Sequence, residues 1–598
     1  MDKYNHDYIT ENNASNLSNL FLERVKRSPD KIAYQYYDES DAKWVDLTWT
    51  EMSDHIGRWQ QSMRLENLVP GDRVAIMMKN SPQWVMCEQA ALGLGLVVVP
   101  LYINDRAENA LHILNEADVK LIFIDGPLQY KILEPVLNDV HSLKRIVCMQ
   151  DCTNSDETRL QHLSQWVVNE SHQPAHLELD PHSLSSIVYT SGTTGKPKGV
   201  MLSHGNILWN ANACSKCYPF NADDIYLSFL PLSHMFERTV GYYLPVLTGA
   251  TVAYARSIDL LGEDLVSRKP TILVTVPRIF ERVYNKIHLQ LNEKSGIAKC
   301  LFNSAVNVGW KKFQVAQKRE RWSPALLLWP ILNLLVAGKI MKKLGGNMRL
   351  AISGGAPLSF EVGRVFTGLG LTISQGYGMT EASPVVCTNM INDNEIASVG
   401  QALPDVEVRL GEHDELQVRS PGVMLGYWQN EQASKDIIDA DGWLFTGDKA
   451  SITNDHIYIT GRLKEIIVLS NGEKVPPADI ELAICTDPLF EQVMILGEGK
   501  PFISAIAVLN TEQYSKLCQQ LNIDTDTDPN SSVIKDKLMQ HLKVKLASFP
   551  GYTRIFRIHA TLEAWTVENS MITPTLKLKR QVIQDNFDSV INDFYKGH

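Results

Sequence analysis

Cysteine is sparse in this chain, positive charge is in deficit, and no repeat or low-complexity tract is present. Nine cysteines are scattered over 598 residues without the spacing of a disulfide framework, so reduced thiols in a cytosol fit better than bridges. Cys214 and Cys217 make a single C-x-x-C, and neither a second pair nor a nearby histidine completes a zinc site. The pair reads as chance spacing. A net charge of −11 excludes the phosphate-driven affinity of a general nucleic-acid binder. The opening residues, MDKYNHDYITENN, lack the apolar core of a signal peptide. A cytoplasmic protein without a nucleic-acid partner is expected.

Long apolar runs are also missing, with one near exception. Residues 324–338, PALLLWPILNLLVAG, are shorter than a bilayer span requires and hold Pro330 and Asn333. Lys318, Arg319 and Arg321 precede this window, and Lys339, Lys342 and Lys343 follow it. Two readings stay open: a helix lying at an anionic surface, which would place the protein peripherally at the inner face of a membrane, or a buried helix.

What is present describes a folded, multidomain chain. Apolar residues make up 44% and charged residues 21%, which leaves no room for extensive disorder. The length exceeds what one hydrophobic core serves. Residues 16–27 have helical spacing, while residues 73–78, 95–101, 119–124, 185–190, 271–276 and 350–353 are short apolar or β-branched runs bounded by Gly, Pro or Asp. This alternation predicts an α/β body with parallel sheets. After Ser398 the texture changes to short alternating strands, 407–410 and 415–419, then a hairpin of 450–452 with 457–460. A small antiparallel subdomain over about 398–461 is expected, within a body of residues 1–461. Residues 462–598 are enough for a second, smaller domain.

The strand at 185–190 runs into Tyr189-Thr190-Ser191-Gly192-Thr193-Thr194-Gly195-Lys196-Pro197-Lys198-Gly199. Glycines let backbone N–H groups turn inward, hydroxyls add donors and lysines neutralise charge, as phosphate oxygens require. It is not a Walker A loop: Thr190 stands where the first glycine should be, and Pro197 follows the lysine. Gly354 and Gly355 after a strand allow close approach to a flat ligand, and Tyr377 offers an aromatic face to a base. Glu381 is a hard oxygen ligand for magnesium, and Asp448 has two acceptor oxygens suited to a pair of ribose hydroxyls.

Residues 189–199 resemble the signature of the AMP-forming acyl-CoA synthetase superfamily, which also includes luciferases and peptide-synthetase adenylation domains. The family's other motifs follow in its order: Ser353-Gly354-Gly355-Ala356-Pro357, Gln375-Gly376-Tyr377-Gly378-Met379-Thr380-Glu381, Thr446-Gly447-Asp448, Gly461-Arg462-Leu463-Lys464 and Thr575-Leu576-Lys577-Leu578-Lys579-Arg580. The resemblance covers essentially the whole chain. It implies a large body of two α/β sheets plus the antiparallel subdomain, and a mobile α+β C-terminal domain. It implies that residues 190–196, Lys198, 355–357, 375–380, Asp448, Arg462 and Lys577 hold ATP, that Glu381 and Thr190 ligate magnesium, and that Lys464 is the hinge. Thr190, Glu381 and Lys577 would act at the reacting centre, Lys577 by stabilising the phosphoryl transition state.

Leu230-Pro231-Leu232-Ser233-His234-Met235-Phe236-Glu237-Arg238 is similar to a stretch of long-chain fatty acyl-CoA ligases. The resemblance places His234 beside the substrate carboxylate. Residues 241–245 and 271–278 offer apolar wall material for a tail tunnel. The implied reaction joins a long-chain fatty acid to AMP, releasing pyrophosphate, and then to CoA. Medium-chain and aromatic acids remain open as substrates, and a carrier-protein phosphopantetheine as acceptor. A catalytically silent acyl-nucleotide binder is disfavoured, because Glu381, Asp448 and Lys577 are present together.

Overall fold

Short β-branched runs and the helices between them assemble into two mostly parallel sheets in the computed structural model, which describes residues 7–152, 157–190, 196–547, 549–573 and 577–596. The nine-stranded sheet runs Gln401–Ala402, Val385–Thr388, Ile373–Gly378, Leu350–Ser353, Ile272–Thr275, Ile225–Ser228, Thr251–Tyr254, Ile32–Asp38, Lys43–Thr48. Its interior pairings are parallel and its edge strands antiparallel. The eight-stranded sheet runs Gly426–Tyr427, Lys198–Ser203, Leu184–Thr190, Val97–Pro100, Arg73–Met77, Val119–Ile124, Arg145–Cys148, Leu160–His162.

Between these sheets lies the largest core, which includes Tyr34, Trp84, Val98, Val188 and Val252. Helix Pro82–Gly93 sits there with nearly every residue buried. It is capped by Ser81 and opened by Pro82, and its apolar surface is continuous around the axis, as a helix enclosed by two sheets requires. The body thus has the two expected sheets, and four antiparallel strands, Glu407–Leu410, Glu415–Arg419, Leu444–Thr453 and His456–Arg462, make the small third one.

Strand limits shift where local chemistry sets them. The run at 95–101 narrows to Val97–Pro100 because Gly95, at φ 71°, is still in the preceding turn. The run at 271–276 narrows to Ile272–Thr275 because Pro277 opens the next helix. Past Arg462, strands Phe490–Leu496, Ile503–Leu509 and Ile555–Thr561 form a three-stranded sheet with an apolar core on each face.

Two expectations need correction. Cys148, ending a strand, is disulfide-bonded to Cys152 in the turn after it. A four-residue fold-back of this kind is invisible to a search for framework spacing. The other seven cysteines are free. Residues 324–338 are not a buried helix: they belong to a 20-residue helical run, Pro324–Lys343, of which only about a tenth is buried. Leu332 and Ala337 face the body, whereas Leu327, Ile331 and Leu334 are exposed. By length and apolar composition the run could cross a bilayer, so shortness does not exclude a span. Its packing on helix Gly296–Ala316 does, as argued below.

Candidate active site

Ligands of parallel sheets bind beyond the carboxyl ends of the strands, and the nine-stranded sheet obeys this. Ser228, Val276, Gly354 and Gly378 close or follow four of its strands and line one cavity of about 2780 Å³. That exceeds the roughly 300–1,000 Å³ of a single small-molecule site. Thr190 and Lys198 reach the cavity from the other sheet, Asp448 and Arg462 from the antiparallel sheet, and Lys577 from the C-terminal domain. Residues 191–195, the middle of the glycine-rich loop, lie outside the described residues; its flanks, Thr190 and Lys196 to Gly199, are on the cavity wall.

Tyr377, Asp448 and Arg462 form a linked set of polar groups on the cavity wall. Tyr377 donates its hydroxyl to Asp448 Oδ2 at 2.5 Å, and Arg462 Nε donates to Asp448 Oδ1 at 2.9 Å. Asp448 and Arg462 face each other across a β-hairpin register pair. Burial and the Asp448 charge push the Tyr377 phenol well up, so it stays a donor. Each carboxylate oxygen of Asp448 keeps a second lone pair for a ligand hydroxyl. Gly355 is left-handed at φ 79°, and a Cβ on Gly378 would stand 2.0 Å from the Pro384 carbonyl oxygen. Ala356, Pro357, Gly376, Met379 and Thr380 also line the cavity. Gln375 lines it too, but its amide accepts from Leu358 N–H at 2.9 Å and donates to the Ser398 carbonyl at 3.2 Å. It fixes the loop at 354–358, while its carbonyl accepts from Asn389 N–H at 3.0 Å.

Glu381 is buried at the cavity wall, and Tyr427 donates to its Oε1 at 2.8 Å. Lys198 Nζ lies 4.9 Å over the Tyr427 ring. Among the described residues no group of three His, Cys, Asp or Glu could enclose a metal. One carboxylate with the Thr190 hydroxyl and the ligand's own phosphate oxygens is nonetheless the donor set magnesium takes beside nucleotides. The residues fit the ion.

Lys577 is held by its loop. Its N–H donates to Thr573 Oγ1 at 3.1 Å, and its carbonyl accepts from Thr573 N–H at 2.8 Å. Three residues on, Arg580 grips Glu481 with two bonds of 2.8 and 2.7 Å. The ammonium faces the cleft, yet the surrounding protein and the Arg462 guanidinium pull its pKa below the ordinary lysine value. Residues 574–576 lie outside the described residues. Lys464 lies exposed on the rim of the same cavity, two residues past Arg462.

His234 faces the cavity where the Leu230 stretch turns into a helix. Its Nδ1 accepts from Phe236 N–H at 3.2 Å, which leaves the ring proton on Nε2. Desolvation and the Lys577 charge push its pKa down to about 4, so the imidazole is a neutral donor at physiological pH. Asn80 fixes the stretch by bonding the Ser228 hydroxyl, the Leu230 carbonyl and Leu232 N–H. Arg238 anchors its other end between the sheets, paired with Glu88 and bonded to Ser186 Oγ at 2.7 Å.

The apolar wall of the cavity matches expectation in part. Leu244, Val276 and Pro277, from the two expected stretches, line it, with Val240, Cys214, Cys217, Tyr218 and Phe220. Tyr242 and Tyr243 do not; both are fully buried in the core between the sheets, Tyr242 bonded to Gln89. A helix that is apolar all round offers no sign of which side meets a cavity. Cys214 and Cys217 are neutral here, burial pushing the Cys217 thiol up to about 12. Sequence reading also missed Tyr427, Asn80 and His112, whose Nε2 lies 3.0 Å from the Pro197 carbonyl. No local motif ties these residues to a partner so remote in the chain.

Comparison with known proteins gives two family models: "AMP-binding enzyme" matches residues 21–428, and "AMP-binding enzyme C-terminal domain" matches residues 464–598. The chain is 31% identical to the long-chain-fatty-acid–CoA ligase FadD15 of Mycobacterium bovis, over 97% of each chain. It is 29% identical to long-chain-fatty-acid–CoA ligase 1 of Homo sapiens, over 88% of this chain and 78% of that one. It is also 26% identical to the Arabidopsis thaliana long-chain-fatty-acid–[acyl-carrier-protein] ligase AEE15, over 92% and 83%. Among solved structures, the adenylation domain of a carboxylate reductase from Mycobacterium chelonae superposes with a TM-score of 0.78 at 20% identity, covering 97% and 91%. An anthranilate CoA ligase in complex with anthranoyl-AMP superposes at 0.73 and 17% identity, covering 99% of both.

Proposed function

Because the chain belongs to the AMP-binding enzyme family, we propose that it is an ATP-dependent long-chain fatty acid–CoA ligase that works through an acyl-adenylate. The observation that carries this reading is the convergence of Lys577, from the C-terminal domain, with Glu381, Asp448, Arg462 and His234 on one cavity.

In the first half-reaction the fatty acid's carboxylate oxygen attacks the α-phosphorus of ATP, and the bond to the β-phosphate breaks, releasing pyrophosphate. Tyr377, Asp448 and Arg462 hold the base and ribose, while Lys196 and Lys198 neutralise the leaving phosphates. Lys577 supplies positive charge where negative charge builds on the α-phosphoryl oxygens. Glu381 and Thr190 would hold magnesium, which would screen the phosphate charge. Neutral His234 donates its Nε2 proton to a carboxylate oxygen and orients the acid without repelling Lys577. In the second half-reaction the CoA sulfur attacks the acyl carbonyl and AMP leaves. Positioning and electrostatics suffice, and no side-chain nucleophile is required.

Long-chain specificity is supported by the FadD15 and human relatives and by the apolar lining that includes Val240, Leu244, Tyr218 and Phe220. The AEE15 relative supports a second reading, transfer to a carrier-protein thiol through the same adenylation residues. Pyrophosphate release measured over a fatty-acid series, with and without CoA, separates the two. Acid-dependent pyrophosphate with a CoA thioester is expected. Pyrophosphate without any thioester would move the acceptor to a carrier protein, and none at all would refute the ligase.

A further inference from the structure

The helical run Pro324–Lys343 presents an apolar face to solvent. Trp322, Leu327, Leu328, Ile331, Leu334 and Leu335 are all exposed, Leu334 at 75% and Leu327 at 71%. From Leu327 onward they recur at three- and four-residue spacing, so they form one stripe. Singly exposed leucines are ordinary, but a contiguous stripe marks a surface that something covers.

The opposite side of the run is fixed. Leu332 and Ala337 are buried, and Trp329, Val336 and Ile340 pack on the core that contains Phe302, Val306 and Phe366. Gly309 of helix Gly296–Ala316 makes room for Trp329, since a Cβ there would stand 2.5 Å from the indole ring. A bilayer-spanning helix meets lipid all round unless other spanning helices flank it. This one has protein along one side, so it can only lie in the plane of a membrane interface.

Charge around the stripe specifies the surface. Residues 294–343 contain ten lysines and arginines and one acid, Glu320, in a chain of net charge −11. Arg319 is paired with Asp393 and Glu395, whereas Lys318, Arg321, Lys339, Lys342 and Lys343 are exposed at the two ends of the run. Trp322 stands at one end, where a tryptophan favours the headgroup level. Apolar side chains ringed by cations suit a bilayer of anionic lipid better than a second copy of this chain, whose own basic ring would repel it.

We propose that residues 322–343 dock the protein in-plane on anionic bilayers. The wall of the active-site cavity runs along helix Pro277–Asn292, where Arg282, Lys286 and Leu289 line it. One short turn joins that helix to Gly296–Ala316, the seat of the apolar run. The cavity wall and the seat of the docking run thus lie on consecutive helices.

Co-sedimentation of the full chain with vesicles of phosphatidylcholine alone, or mixed with phosphatidylglycerol, tests this without ATP, acid or CoA, so its outcome is independent of the ligase reading. Wild type should bind the mixed vesicles at least tenfold more tightly, and salt should weaken that preference. Replacing Leu327, Ile331 and Leu334 together by Gln should lower binding to mixed vesicles at least tenfold. Replacing Lys339, Lys342 and Lys343 by Gln should remove the preference for phosphatidylglycerol. Both variants should keep the wild-type melting temperature, because every altered side chain is exposed. Absent binding, or binding unchanged in both variants, overturns the proposal. So does a wild-type dimer that the leucine variant converts to monomer, which would assign the stripe to a second copy.

Discussion

Glu237 shows how a single position in the core carries its own pH dependence. It is fully buried, and desolvation, only partly opposed by the Ser228 hydroxyl, pushes its pKa up to about 8. The folded protein therefore keeps this proton over a range in which the unfolded chain has released it. The associated stability is complete below the ordinary glutamate range and is lost as pH rises through about 8. Glu237→Gln keeps the shape without the proton. Its melting temperature should fall less than that of wild type between pH 5 and pH 9, the gap reflecting a free energy on the order of a few kcal/mol; parallel curves would contradict the assignment. Tyr427 gives a second prediction at this scale. Its hydroxyl fixes Glu381 Oε1 at 2.8 Å, and groups that orient a metal ligand commonly contribute tenfold or more in affinity. Tyr427→Phe should raise the half-saturating magnesium for pyrophosphate release about tenfold, and an unchanged titration would separate Glu381 from the ion.

Among elements, the short turn after strand His456–Arg462 holds the proposed hinge, Lys464. Leu463 N–H donates to the Gly447 carbonyl and Glu465 N–H to that of Arg462, but Lys464 N–H has no acceptor among the described residues. Proline there removes no hydrogen bond and restricts φ. Lys464→Pro should leave adenylation within a few-fold of wild type and slow thioester formation at least tenfold, measured as separate half-reactions; equal slowing of both would deny the hinge. Elements also show what could be read in advance. Val119–Ile124 and Leu350–Ser353 were legible to the residue because β-branched runs between turn formers have one comfortable conformation. Asp448, Glu381 and Lys577 could be placed on one cavity in advance because the short motifs that carry them resemble the family's, in the family's order. Tyr427 was not, since its contact with Glu381 exists only after strand Gly426–Tyr427 pairs with Lys198–Ser203. The tail wall was legible only in part for a related reason: Tyr242 and Tyr243 share an apolar stretch with Leu244, and only three-dimensional packing decides which of them meets the cavity.

Across the whole molecule, the basis for a two-step ligase is that residues nearly four hundred positions apart share one cavity. Thr190 closes a strand of the eight-stranded sheet, Glu381 follows a strand of the nine-stranded sheet, and Lys577 arrives on a loop clamped by Arg580 and Glu481. A lysine carried on a separate domain can serve one half-reaction and be withdrawn for the other. The most direct test is Lys577→Ala assayed in two halves: acid-dependent pyrophosphate release from ATP, and CoA thioester formation from supplied acyl-AMP. The account predicts that the first falls by about a hundredfold or more while the second stays within a few-fold of wild type. Equal loss of both, or an unchanged first half-reaction, would contradict it.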